Sequence, residues 1–321
     1  MDWSRDGADW PNRVHSRFVQ AGGFEWHVQC MGQGPALLLV HGTGASSHSW
    51  RDLAPLLARR FTVIAPDLPG HAFSSGAPPS AMSLRGMAQA LVALLEVLRV
   101  QPVLAVGHSA GAALLVRLAL DGALPQAAGI VALNGALLPL AGWMRVMSPA
   151  AKLLAALPGV PQMVSRRAQD DVAVARLIVG TGSVIDARGH ALYARLMRDP
   201  AHVAGVLSMM ARWDLDGLVR ELPRLAVPLW LVAAALDRTV PPAQARRVAL
   251  RQPKAKLLPL PGLGHLAHEE APEQAHGLIL RAAREAGLFT HARSGVGPPP
   301  GRAGEGRPED PAMKGRATLV Q

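Results

Sequence analysis

Three short runs in the first third of the chain constrain the fold most. Residues 36–40 (Ala-Leu-Leu-Leu-Val), 61–65 (Phe-Thr-Val-Ile-Ala) and 102–106 (Pro-Val-Leu-Ala-Val) are apolar at every position or nearly so. A strand with one wet face alternates in polarity; a strand that is apolar throughout must be covered on both faces. That is the condition of a parallel sheet between two layers of helix. The stretches between the runs supply those helices: 49–59 places Trp50, Leu53, Leu56 and Leu57 on one face, and 83–99 opens on Ser83 as a helix cap. Strand and helix in this rhythm predict a doubly wound, mostly parallel α/β sheet. Ahead of it, Phe24, Trp26, Val28 and Cys30 alternate with other residues as in a half-buried strand, which 17–20 can pair across Ala21-Gly22-Gly23.

The rhythm continues through a helix to Leu120 and a strand at 130–133, then breaks. Between 135 and 225 the chain reads as successive helices, including 173–178, 187–197 and 202–213, with no strand pattern. It resumes with strands at 229–235 and 255–260 and helices at 242–250 and 272–286. The expected organisation is an N-terminal extension (1–14), an α/β core in two pieces (15–134 and 226–290), a helical cap between them (135–225) and a tail (291–321). Residues 291–316 hold six glycines and five prolines with little apolar content, so disorder is expected there.

Composition matters at two points. The net charge of +10 could suggest nucleic acid, but of 33 basic residues only Lys152, Lys254, Lys256 and Lys314 are lysine. The arginines are scattered, not gathered into a stripe with aromatics, so no nucleic-acid partner is expected. The single cysteine, Cys30, cannot close an internal disulfide, and no Cys/His cluster has metal-site spacing. No metal and no cofactor are expected. The opening residues carry charges where a secretory signal needs an apolar segment, which predicts a cytoplasmic protein.

The chemistry centres on Gly107-His108-Ser109-Ala110-Gly111, a G-x-S-x-G pattern. Composition alone would produce such a match about 0.15 times in a chain like this, but here a buried strand leads into it and a helical run leaves it. That context exposes a serine hydroxyl on a sharp strand-to-helix turn. Acyl transfer also needs two main-chain N–H donors for the developing oxyanion, and the amides of Thr43, in His41-Gly42-Thr43-Gly44, and of Ala110 are the natural pair. The hydroxyl needs a base, and the base an orienting carboxylate. Asp237 follows the strand at 229–235, and His265 follows the strand at 255–260, both in loops beyond carboxyl ends of strands where sites of open α/β sheets form. Alternatives are weaker. His268 lies at the approach to the last helix and reads as structural. Asp214 and Asp216 precede a strand, Asn134 follows one but carries no charge, and Asp67 reads as a turn-former.

Together HGTG, DLPGHAFS, GHSAG, LDRTVPP and GLGHLAHEEAP resemble the ordered landmarks of the α/β-hydrolase superfamily, over about residues 17 to 287. The opening MDWSRDGADWPNR and the segments LNGALLPLAG, GTGS and MMARWDL are more closely similar to one branch. This branch is the α/β-hydrolase-like magnesium-chelatase accessory proteins of bacteriochlorophyll biosynthesis. The resemblance implies an α/β-hydrolase fold, Ser109, Asp237 and His265 as a catalytic triad, and a role around magnesium insertion into protoporphyrin. Ala72 departs from it, standing where such turns usually carry glycine. No G-x-x-x-x-G-K-[ST] loop is present, so an accessory role is implied, not the ATP-driven step.

The expected activity is therefore a serine hydrolase of ester or acyl bonds. The alternative is a tetrapyrrole-binding or chelatase-assembly factor that retains the triad without needing it. Trp143, Met144 and Met147, with neighbouring leucines, offer an apolar lining for a small hydrophobic acyl or tetrapyrrole substrate. Arg145, Lys152, Arg166 and Arg167 beside them would suit peripheral membrane contact, and magnesium-chelatase subunits are the other partners the resemblance implies.

Overall fold

The computed structural model describes residues 1–75, 78–139 and 159–289. Its centre is one eight-stranded sheet in the order β1-β2-β4-β3-β5-β6-β7-β8. The strands are β1 (Ser16–Ala21), β2 (Phe24–Met31), β3 (Ala36–Val40), β4 (Thr62–Pro66), β5 (Leu104–His108), β6 (Ile130–Leu133), β7 (Leu229–Ala234) and β8 (Ala255–Leu260). From β4 to β8 every pairing is parallel, while β2 runs antiparallel to both β1 and β4.

The apolar runs behave as their composition requires. In β3, Leu38 and Val40 enter one core with Met87, Leu91 and Leu94 of α3 (Leu84–Leu98) and Leu114 and Leu115 of α4 (Ala110–Leu120). Leu37 and Leu39 point the other way, into a second core with Leu53 and Leu57 of α2 (Leu53–Leu57) and with Ile279 of α12 (Pro272–Glu285). Alternate residues of one strand thus feed two cores, and the centre of the sheet is dry on both faces, whereas the edge strands β1 and β8 keep exposed residues. Of the remaining helices, α1 spans Trp3–Asp6, α10 spans Ala243–Arg251 and α11 spans Ala267–Glu270.

One predicted helix is broken. Instead of a single helix over 49–59, a 3-10 turn (Ser47–Trp50) precedes the short α2. The cause is Pro55: a continuous helix would need its absent N–H on the Arg51 carbonyl, and its ring would press on that oxygen. The Arg51 carbonyl instead accepts from Asn12 Nδ2 at 3.1 Å.

Between β6 and β7 lie α5 (Val160–Arg167), α6 (Asp171–Gly180), α7 (Ala187–Arg198), α8 (Pro200–Arg212) and α9 (Asp216–Glu221), with residues 140–158 outside the described part. Val174, Ile178, Ile185, Tyr193 and Ala194 from this connection pack with Ala45 and Leu266 of the loops beyond β3 and β8. Trp10 from the opening segment is buried with Ala72, Phe73 and with Leu192 and Leu196 of α7. No helix among the described residues is long and apolar enough to cross a membrane. The tail from 291, and Trp143, Met144, Met147, Arg145 and Lys152, lie outside the described residues.

Candidate active site

Parallel pairing sets Val40 beside Gly107, Gly107 beside Ala132, and Leu133 beside Val232, so the loops after β3, β5, β6, β7 and β8 leave the same edge of the sheet. Thr43, Ser109, Asn134, Asp237 and His265 belong to those five loops in that order.

Ser109 sits between β5 and α4 with φ 51° and ψ −117°, a conformation a side chain rarely adopts. Its backbone is held there from both sides: its N–H donates to Leu133 O at 3.1 Å, and its carbonyl accepts from Ala112 and Ala136. The flanking glycines are there for space. A Cβ on Gly111 would lie 2.2 Å from the Val40 carbonyl oxygen, and one on Gly107 2.5 Å from the Ala112 nitrogen. The turn closes only because helix and strands approach backbone to backbone.

Asp237 and His265 meet directly, with Nδ1 of the imidazole 2.8 Å from Oδ2 of the carboxylate. The other carboxylate oxygen accepts two main-chain N–H groups, from Thr239 and Val240, each at 2.8 Å. Asn134 Nδ2 donates to the same Oδ2 as the histidine, at 2.6 Å. The carboxylate side chain is fully buried, and its charge is met by four partners and no water-exposed edge. Such a carboxylate fixes the imidazole in the tautomer that leaves Nε2 free to accept a proton.

Ser109, His265, Thr43 and Ala110 line one cavity of about 550 Å³. Its walls are mainly apolar, with Val174, Ile178, Met197, Met210 and Trp213 supplied by the helices between β6 and β7. Ala110 is the first residue of α4, so its N–H has no partner within the helix and lies at the positive end of the helix dipole. His41, two residues before Thr43, is itself tied down. Leu68 N–H donates to His41 Nε2 at 2.8 Å, which leaves the proton on Nδ1, 2.8 Å from the Gly42 carbonyl.

A profile of the alpha/beta hydrolase family matches residues 37–276. The chain belongs to this family. Among its relatives, it is 42% identical over 276 residues to the magnesium-chelatase 30 kDa subunit of Rhodobacter capsulatus, covering 85% of this chain and 96% of that protein. It is 31% identical over 258 residues to pyrrolizixenacetamide deacetylase of Xenorhabdus hominickii, covering 76% of this chain and 88% of the other. An alpha/beta hydrolase fold protein of Burkholderia ambifaria, at 24% identity, superposes with a TM-score of 0.69 over 83% of this chain and 100% of that one, which speaks to the fold alone.

In this alpha/beta hydrolase the rejected alternatives find other work. His268 is buried between Trp50 and His108, with ring centroids 4.6 and 4.5 Å away. Burial, then the neighbouring His265, lowers it to about 3, so it stays neutral. His108 donates Nε2–H to the His265 carbonyl at 2.9 Å, and burial holds it well below its ordinary value. Asp214 and Asp216, which precede β7 and do not follow a strand, nonetheless line the cavity. Asp67 does more than form a turn. It accepts from Ser47 N at 2.6 Å and pairs with the fully buried His27 at 2.8 Å. Burial opposes ionisation there, but His27 and these hydrogen bonds hold the carboxyl below its ordinary range.

Two features were not foreseen. The first is Asn134, whose sequence position suggests only a substitute acid that lacks charge, whereas its amide donates to the Asp237 carboxylate. Its position after β6, beside β7 in the sheet, was the available signal. The second is the buried network of Glu269, which accepts from Tyr193 OH at 2.7 Å and pairs with Arg51, itself 3.0 Å from Asp186. Burial pushes Glu269 up to about 7 against the pull of Arg51 and Tyr193. This network fastens α7 to α11 and to the loop beyond β3. No group of three or more His, Cys, Asp or Glu among the described residues is arranged to hold a metal ion.

Proposed function

We propose that the protein is a serine hydrolase that cleaves an ester or similar acyl bond in a predominantly apolar substrate. The observation that carries this is the buried Asp237–His265 pair lining one cavity with Ser109 on its strained turn. Ser109 Oγ attacks the carbonyl carbon while His265 takes its proton. The N–H groups of Thr43 and Ala110 receive the negative oxygen, and the protonated imidazole returns the proton to the departing alcohol or amine. Water, deprotonated by His265, then releases the acid and restores the serine. Ser109→Ala should lower turnover by at least about a thousandfold while leaving thermal unfolding unchanged. Labelling of the purified protein by a fluorophosphonate probe, lost in that variant, tests the assignment. Absence of labelling in the wild type refutes it.

By its kinship with the magnesium-chelatase 30 kDa subunit, we place this activity at the magnesium-insertion stage of bacteriochlorophyll biosynthesis, with chelatase subunits as partners. The same kinship favours one second reading, a tetrapyrrole-binding or assembly factor whose triad is not used. A strain carrying Ser109→Ala separates the two: porphyrin accumulation supports catalysis, and normal pigment supports binding. Peripheral contact with anionic membrane, for which Arg166 and Arg167 lie exposed on α5, is tested by vesicle flotation.

A further inference from the structure

The loops bearing Asp237 and His265 rest on a turn that belongs to neither. Thr181-Gly182-Ser183 joins α6 to α7, within the helical connection. The Thr181 carbonyl accepts the N–H of Arg238, next to the acid, at 3.0 Å, and that of His265 itself at 3.4 Å. Ser183 Oγ accepts the N–H of Leu266 at 2.8 Å and is buried. Glu270 bridges the same region, accepting from Gly264 N at 2.8 Å and from Val184 N at 3.0 Å.

Close backbone approach accompanies these bonds. Gly182 adopts φ +86°, and a Cβ there would lie 2.0 Å from the Leu236 carbonyl oxygen; a Cβ on Gly264 would lie 2.3 Å from the Gly182 carbonyl. The residues on either side of Asp237, and on either side of His265, are therefore all seated on this one turn. Thr181 also lines the cavity, as do Val174 and Ile178 of the helix that leads into it.

We infer that Thr181-Gly182-Ser183 is a positioning turn, which sets the Asp237–His265 hydrogen bond, so that the helices between β6 and β7 support the catalytic pair and do not merely cover it. This deepens the serine-hydrolase reading and rests on it. A cover hinged away at this turn would release both loops, whereas a substrate bound against α6 bears on the turn that holds the acid and base.

Two variants test it: Ser183→Ala, which deletes one buried acceptor, and Gly182→Ala, which forces the turn from Leu236. Val172→Ala, exposed on α6 and outside the cavity, is the control. With a p-nitrophenyl ester, Ser183→Ala is expected to lower kcat about tenfold, the effect of one buried hydrogen bond, with KM within twofold; Gly182→Ala should lower it further. The rate of fluorophosphonate labelling should fall in parallel. Independently of turnover, the downfield proton resonance of the His265–Asp237 hydrogen bond should shift or broaden in both variants and persist in the control. An unchanged resonance in both, or a raised KM with unchanged kcat, overturns the positioning role. A wild type that shows the resonance but is never labelled overturns the hydrolase reading instead, and the resonance in the variants then decides the turn's role alone. A variant that fails to fold is replaced by Ser183→Cys, a near-isosteric change that weakens the acceptor, with the same expected shift.

Discussion

Acidification should unfold this protein at a milder pH than carboxylate titration alone would. Six histidines, His41, His48, His71, His108, His202 and His268, are buried, and burial is the first cause that lowers each of them. His71 and His268 titrate at about 3 in the fold against 6.5 when free. Between those values the unfolded chain binds a proton that the fold refuses, so stability falls as pH falls. At pH 5, each of these two lowers stability by about 2 kcal/mol relative to pH 8. Glu269 works in the opposite sense: at about 7 in the fold against 4.5 free, its protonation stabilises the fold as pH falls through that window, by about 2.5 kcal/mol at pH 5 relative to pH 8. The two histidines alone outweigh it, and the other four add with their sign. Against a total stability of about 5–15 kcal/mol, the net loss is large.

The assay is urea unfolding at pH 8, 7, 6 and 5, with tryptophan fluorescence as the probe. The midpoint should fall steadily with a constant slope m, and near pH 5.5 unfolding should take up more than one proton. His268→Leu sharpens the test, because neither ring nitrogen of His268 has a hydrogen-bond partner among the described residues, so the change loses no bond. It should recover about 2 kcal/mol at pH 5 and little at pH 8. A midpoint equal or higher at pH 5 than at pH 8 would refute the reasoning.

Three further outcomes are expected. Asn134→Ala removes the 2.6 Å donor to Asp237 and should lower kcat about tenfold with an unchanged circular-dichroism spectrum; wild-type kcat would exclude a role for the amide. Ala72→Gly should be neutral or stabilising by up to about 1 kcal/mol in calorimetry. Ala72 holds φ 45°, a strain of roughly 1–2 kcal/mol for alanine that exceeds the entropic cost of about 0.4–1 kcal/mol that glycine adds. Arg51→Met leaves Glu269 buried without its cation and should cost about 3–5 kcal/mol at pH 8. The loss should be smaller at pH 6, where Glu269 is protonated; equal losses at both values would contradict the shift assigned to that carboxyl.

What could be read from the sequence follows from what each kind of residue responds to. The strands of the sheet centre were legible because Leu37, Leu38 and Leu39 answer to one condition, burial on both faces, which composition expresses directly. Pro55 was visible too, but its effect depended on Arg51 having another donor, Asn12, 39 positions away. The site divides the same way. The chemistry proposed for Ser109, Asp237 and His265 is one that few residue types can perform, and each follows a strand, so type and place coincide. Asn134, Ser183 and Thr181 act through ordinary groups, an amide, a hydroxyl and a carbonyl, whose meaning comes only from what they face.

That division also explains why the turn at Thr181-Gly182-Ser183 escaped a reading by strand and helix. Nothing local marks it, because its partners, Leu236, Arg238, Gly264 and Leu266, come from two loops that the sheet brings together only after folding. The glycines were the one trace. A Cβ on Gly264 would press on Gly182, and one on Gly182 would press on the Leu236 carbonyl oxygen, so both glycines keep clear the same seam between the turn and the two loops. Gly264→Ala should therefore disturb the Asp237–His265 hydrogen bond as Gly182→Ala does, and combining the two should add less than the sum of their separate effects on kcat. Additive losses would mean that the two glycines act at independent places.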